Sequence, residues 1–170
     1  MISSRRLIVM RHGKAEPFAE SDHERALTER GIRSAADAGG HLAEVGHIPD
    51  YAIVSSSART RRTWAEVAEA CGSGAVVAVD DAVYSGSSDI VLEAIRAVPA
   101  DAGVVIFVGH NPSAASVANE LDDGDGDQAA IDEMLHGFPA GALAVFEIGV
   151  TWQELGSETG RLVDFYVGRD

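Results

Sequence analysis

The chain has 170 residues, 46% of them hydrophobic, and a formal net charge of -14. That length suits one domain with a core of its own, 1–170, and a surface this acidic argues against nucleic acid or an anionic membrane as partner. No run of 18 apolar residues exists, so no transmembrane helix is expected.

The first residues, Met1 to Arg6, lead straight into an apolar run too short for a signal-peptide core. The single cysteine, Cys71, has no partner for an internal disulfide. Both features point to the cytoplasm. Leu7-Ile8-Val9-Met10 reads as a fully buried strand, and it ends in Arg11-His12-Gly13-Lys14. Residues 15–27, with Pro17 and Ser21-Asp22, read as a loop. Thr28 suits the N-cap of a helix from Glu29 to Val45, and Gly46 suits its stop. Gly39-Gly40 inside that helix costs about 2 kcal/mol against alanine, which a close approach of a neighbouring element would explain.

Tyr51 to Ser55 reads as a second parallel strand. It runs into serines and Arg59, then a helix with Trp64, Val67, Ala68 and Cys71 on one face and Gly72 after it. Ala75 to Val79 is a third strand. A loop with Tyr84 follows, then a helix carrying Val91, Leu92, Ile95 and Val98, capped by Ser87 or Ser88 and stopped by Pro99. Gly103 to Val108 is a fourth strand ending in Gly109-His110-Asn111-Pro112. Asn111 is expected as N-cap, with Pro112 opening the next helix. Residues 121–133, acidic and glycine-rich, read as an exposed, mobile loop. Two last strands, Ala142–Ile148 and Leu162–Val167, are expected to add an antiparallel edge. Alternating buried strands and amphipathic helices predict an α/β fold: a three-layer α/β/α sandwich around a mostly parallel sheet.

The cations are unevenly placed. Ten of the thirteen lie in the first 62 residues, and Lys14 is the only lysine. An acidic chain that gathers arginines near one motif is building a local anion pocket, although Arg30, Arg33 and at least one of Arg61 and Arg62 are expected on solvated helix faces. Three strands end in chemistry-bearing residues: Arg11-His12-Gly13, the serines with Arg59, and Gly109-His110-Asn111. In a parallel sheet those ends lie along one edge. Two imidazoles and two guanidiniums converging there suit phosphoryl transfer, with one imidazole as nucleophile and the other groups holding the phosphoryl oxygens. No Cys or His spacing suggests a metal site.

The residues Val9 to Ala15, Ser21 to Gly31, Pro49-Asp50, Ser55 to Thr63 and Val108 to Pro112 together resemble the histidine phosphatase superfamily, also called phosphoglycerate mutase-like. Its small SixA-type phosphohistidine phosphatase branch is the nearest likeness. The resemblance implies that His12 is the transiently phosphorylated nucleophile and that Arg11, Arg59 and His110 complete the phosphate pocket. Gly13 lets the backbone pass close to the imidazole, and its carbonyl is placed to fix the tautomer. Lys14, Arg25 and Asn111 are candidate substrate contacts, with Ser55 a further candidate. His23, His41, His47 and His136 are expected on exposed faces or loops. No metal or cofactor is implied, because the arginines supply the cationic field. The expected partner is a phosphorylated protein or a small phosphorylated substrate.

Relatives that cleave ordinary phosphate esters use a carboxylate general acid after the third strand. Asp80 to Gly86 gives no convincing match, although Asp81 and Asp22 are possible acids. An alkoxide leaving group needs a proton in the transition state, and an imidazole needs less help. The gap therefore favours phosphohistidine over a sugar phosphate. The alternatives are a small-molecule phosphomonoesterase or mutase-like enzyme, and a phosphate-binding adaptor without turnover.

Overall fold

The computed structural model describes residues 4–170. The expectation that the chain runs directly into its first strand falls partly on residues 1–3, outside the described residues. Among those described, six strands form one sheet: β1 (Arg5–Arg11), β2 (Tyr51–Ser55), β3 (Val76–Asp80), β4 (Val104–Gly109), β5 (Ala142–Ile148) and β6 (Gly160–Val167). Their order is β3-β2-β4-β1-β5-β6. β1 to β4 are mutually parallel, β5 runs antiparallel to β1, and β6 runs antiparallel to β5. This is the expected α/β sandwich with an antiparallel edge.

The layers follow from the alternation of side chains along each strand. Leu7 and Val9 of β1 face one core, shared with α3 (Ser88–Arg96), α4 (Ser113–Leu121) and α5 (Gln128–His136). Ile8 and Met10 face the other, shared with α1 (Glu29–Val45) and α2 (Ala58–Cys71). All four of these β1 residues are fully buried, which is why the strand reads as a continuous apolar run rather than an alternating one.

The α1 boundaries form as expected. The Thr28 side chain accepts a hydrogen bond from the Gly31 N–H, and Gly46 closes the helix at φ 77°. A Cβ on Gly39 would sit 2.6 Å from the Val67 carbonyl oxygen of α2 and 2.8 Å from the Ala70 Cβ, so the close approach is real. Gly40 has nothing within 4 Å of that position.

Two expectations are corrected. Residues 128–133, read as part of an exposed loop, belong to α5 (Gln128–His136). Asp127 caps it, accepting from the Ala130 N–H, and Ala130, Ile131 and Met134 are buried. The stripe is only two turns long and flanked by acids, too short for its period to stand out. Asn111 is not the N-cap of α4, which begins after Pro112. Its side chain bridges two elements, accepting at Oδ1 from the Ala115 N–H of α4 at 3.3 Å and donating from Nδ2 to the Phe138 carbonyl at 2.8 Å.

Candidate active site

The strand order brings three strand ends together. β4 lies between β1 and β2, so their carboxyl ends are adjacent. Arg11 pairs with Gly109 in register, and His12 and His110 each follow by one residue. The His12 N–H donates to the Gly109 carbonyl at 3.0 Å. The two rings meet edge to face with centroids 5.3 Å apart.

His12 is buried, and its Nδ1 lies 2.6 Å from the Gly13 carbonyl. A carbonyl only accepts, so Nδ1 carries the proton and Nε2 keeps the lone pair. The loop that presents this carbonyl is braced from two sides. Thr63 of α2 accepts from the Gly13 N–H at 3.0 Å, and the start of α1 presses against it. A Cβ on Gly13 would lie 2.7 Å from the Gly31 carbonyl oxygen, and one on Gly31 would lie 2.2 Å from that of Lys14. Two glycines are needed for this contact.

His110 is held by two partners. Its Nδ1 is 3.3 Å from Arg59 Nη2, and its Nε2 is 2.7 Å from the hydroxyl of Ser55 at the end of β2. A guanidinium only donates, so neutral His110 accepts at Nδ1 and donates from Nε2 to Ser55. Arg59, in the first turn of α2 and only 5% exposed, also donates from Nη1 to the Asp22 carbonyl at 2.8 Å. Arg11 donates from Nη1 to the Phe138 carbonyl at 3.2 Å. The Nε atoms of Arg11 and Arg59 are both buried without a protein acceptor. Two such donors beside one cleft are what an anion site requires.

Arg11, His12, Lys14, Arg25, Arg59, His110 and Asn111 line a cleft of about 320 Å³ with Ala15 and Ala140. Gly13 stands behind it as support for His12. Reading from sequence missed the contribution of residues 137–141, between α5 and β5. The Phe138 carbonyl there anchors both Arg11 and Asn111, and the Gly141 N–H donates to the His12 carbonyl at 2.9 Å. Backbone carbonyls leave no mark in a sequence, although the flanking Gly137 and Gly141 hint at a special turn, with φ 144° and 80°. From sequence, Tyr84 reads only as a loop residue. Its ring stands edge-on to His110, and its hydroxyl donates to Asp22.

The model for the histidine phosphatase superfamily (branch 1) matches residues 7–83. A Mycobacterium tuberculosis protein of uncharacterized function is 32% identical over 162 residues, covering 94% of this chain and 100% of its own. The Nakamurella multipartitia protein assigned as phosphohistidine phosphatase SixA superposes with a TM-score of 0.85 at 35% identity, over 98% of each chain. The chain belongs to the histidine phosphatase superfamily. Within it the chain is of the SixA type. The Agrobacterium tumefaciens protein assigned likewise has a TM-score of 0.80 at 28% identity, over 96% of this chain and 97% of that one.

The electrostatics of this histidine phosphatase cleft set the charge states. Burial pulls the His12 pKa down to about 4, with help from Arg59, Arg11 and Arg25 and against the Gly13 hydrogen bond. Burial, then Arg59 and His12, pulls His110 down to about 3. Both rings are neutral at pH 7. Asp22 is held far below the usual carboxylate range by its hydrogen bonds from Tyr84, Arg25 and Arg59. It is therefore an anion and a poor proton donor. Asp81 does not line the cleft; it accepts from the Ser56 hydroxyl at 2.6 Å.

The remaining histidines divide. His136 is exposed, and His23 lies in the loop, 3.0 Å from the Ser56 hydroxyl. His47 lies in the loop after α1, whereas His41, on α1, is only partly exposed, against expectation. His41 is stacked on Tyr166 at 3.8 Å and paired with Asp164 at 2.6 Å, because α1 packs against β6 there. Arg30, Arg33, Arg61 and Arg62 are all exposed, as expected. Among the described residues no cluster of three or more His, Cys, Asp or Glu suits a metal ion, and no helix is long and apolar enough to cross a membrane.

Proposed function

We propose that the protein is a hydrolase that removes a phosphoryl group from phosphohistidine on a partner protein, through a phosphohistidine intermediate on its own His12. The observation that carries this reading is the His12 ring itself. It is neutral, with Nδ1 tied to the Gly13 carbonyl, and its remaining lone pair on Nε2 serves a cleft lined with cations. The two relatives assigned as SixA phosphohistidine phosphatases support the substrate class.

In the first step the Nε2 lone pair of His12 attacks phosphorus. The phosphorus–nitrogen bond of the substrate breaks, and the electron pair leaves with the substrate imidazole, whose proton comes from water. Arg11 and Arg59 hold the phosphoryl oxygens, and Lys14, Arg25 and Asn111 add contacts at the cleft rim. His110, neutral and accepting from Arg59 at Nδ1, keeps that guanidinium directed at the phosphoryl group. In the second step water attacks phosphorus. The bond to His12 breaks, its pair returns to Nε2, and inorganic phosphate forms with release of a proton.

The carboxylate nearest the arginines is locked as an anion, which supports a leaving group that departs with little protonation. We place the protein in the cytoplasm, a reading supported by its lone, free cysteine. A substrate panel tests the assignment. Phosphohistidine peptide and aryl phosphate are expected to turn over faster than sugar phosphates or 3-phosphoglycerate. The reverse order would sink the reading.

A further inference from the structure

Two of the guanidiniums that line the cleft, Arg25 and Arg59, share a carboxylate, that of Asp22. Its Oδ2 accepts from Arg59 Nη2 at 3.1 Å and from the Tyr84 hydroxyl, and its Oδ1 accepts from Arg25 Nε at 3.0 Å. One carboxylate thus bridges two guanidiniums, the donor set on which a phosphoryl group would draw. Asp22 sits in a short 3-10 turn (Asp22–Glu24), and its side chain is 55% exposed, against 6% for Arg59. The carboxylate can swing into solvent while the guanidinium cannot.

Neither arginine depends on that carboxylate for its place. Arg59 keeps its bond to the Asp22 main-chain carbonyl at 2.8 Å, its contact with His110 at 3.3 Å, and the Tyr84 ring 6.0 Å from its guanidinium carbon. Arg25 keeps its bond from Nη1 to the Glu16 carbonyl at 2.9 Å. The side chain of Asp22 can be exchanged without unmooring either one.

We propose that Asp22 is an internal competing anion that sets the affinity and the selectivity of the cleft. An incoming phosphoryl group must displace the carboxylate from Arg59 and Arg25, and the carboxylate returns to them as inorganic phosphate leaves. This rests on reading the cleft as a phosphoryl site. Tethered beside its partners, the carboxylate competes at a high effective concentration. The apparent affinity for any anion falls by the fraction of molecules in which the guanidiniums are free. A single carboxylate from solution cannot outcompete a tethered one of equal charge. A phosphoryl group, with more charge and three oxygens, can.

The test is direct binding of inorganic phosphate and of acetate to the wild type, Asp22→Asn and Asp22→Ala, with thermal melting as the check on folding. Losing the charge-assisted competitor is expected to tighten phosphate about tenfold in both variants. Product inhibition by phosphate should strengthen by the same factor, and acetate binding should become measurable. Unchanged or weaker phosphate binding in both folded variants would overturn the proposal and make Asp22 a mooring residue for Arg59. If wild-type protein bound no phosphate, or bound it equally well as Arg59→Ala, the phosphoryl-site reading itself would fail.

Discussion

At the residue scale the site depends on guanidiniums held in fixed orientation. Arg59 donates in three directions at once, to the Asp22 carbonyl, to the Asp22 carboxylate and to His110. A lysine cannot reproduce that planar fork, although it keeps the charge. Arg59→Ala is expected to lower kcat by about 10² to 10³, the cost of losing one preorganised donor of charge stabilisation. Arg59→Lys should recover little of it. Steady-state kinetics on an aryl phosphate decides this, and near-full activity of the lysine variant would show that charge alone suffices. His12, Arg11, Arg59 and His110 were legible in the sequence because each ends a recognisable strand or opens a helix. Ser55 was a weaker candidate, since a serine after a strand is usually a turn residue. Tyr84 carried no signal, because its role depends on an aspartate 62 positions away.

At the element scale the helices are placed by glycines that let backbones touch. Gly39 and Gly40 look alike in the sequence and differ in the fold. Gly39 faces the Val67 carbonyl of α2, while Gly40 faces open space. Gly39→Ala should destabilise by about 1–3 kcal/mol, since the overpacking must part α1 from α2. Gly40→Ala should stabilise by about 0.5–1 kcal/mol, the usual gain in a helix interior. Denaturant unfolding of the two variants measures the contrast, and equal shifts would refute the packing of α1 on α2. The same scale shows where legibility ended. Strands with long buried runs, β1, β2 and β4, were readable from composition. α5 was not, because its two-turn apolar stripe lies among acids. The insertion of β4 between β1 and β2 was not readable either. Pairing order is a long-range property, and each strand alone is equally compatible with several neighbours.

At the scale of the whole molecule an acidic protein maintains a cationic cleft. Arg11, Lys14, Arg25 and Arg59 face it in a chain of net charge -14. Keeping His12 and His110 neutral beside those cations links stability to pH. Their native values of about 4 and about 3 lie below the ordinary 6.5. Between about pH 6.5 and those values the unfolded chain binds protons that the native chain does not. Stability is therefore complete above pH 6.5 and declines as the pH falls through that window. His110→Gln should reduce the slope of stability against pH there, followed by denaturant midpoints across the range. An unchanged slope would mean that His110 already titrates normally in the folded state.

The proposed mechanism requires His12 to accept the phosphoryl group. Rapid-quench labelling with a radiolabelled phosphoryl donor tests it most directly. An acid-labile, alkali-stable label is expected on His12, forming before inorganic phosphate appears and absent from His12→Ala. Label on another residue, or undiminished turnover by His12→Ala, would contradict it.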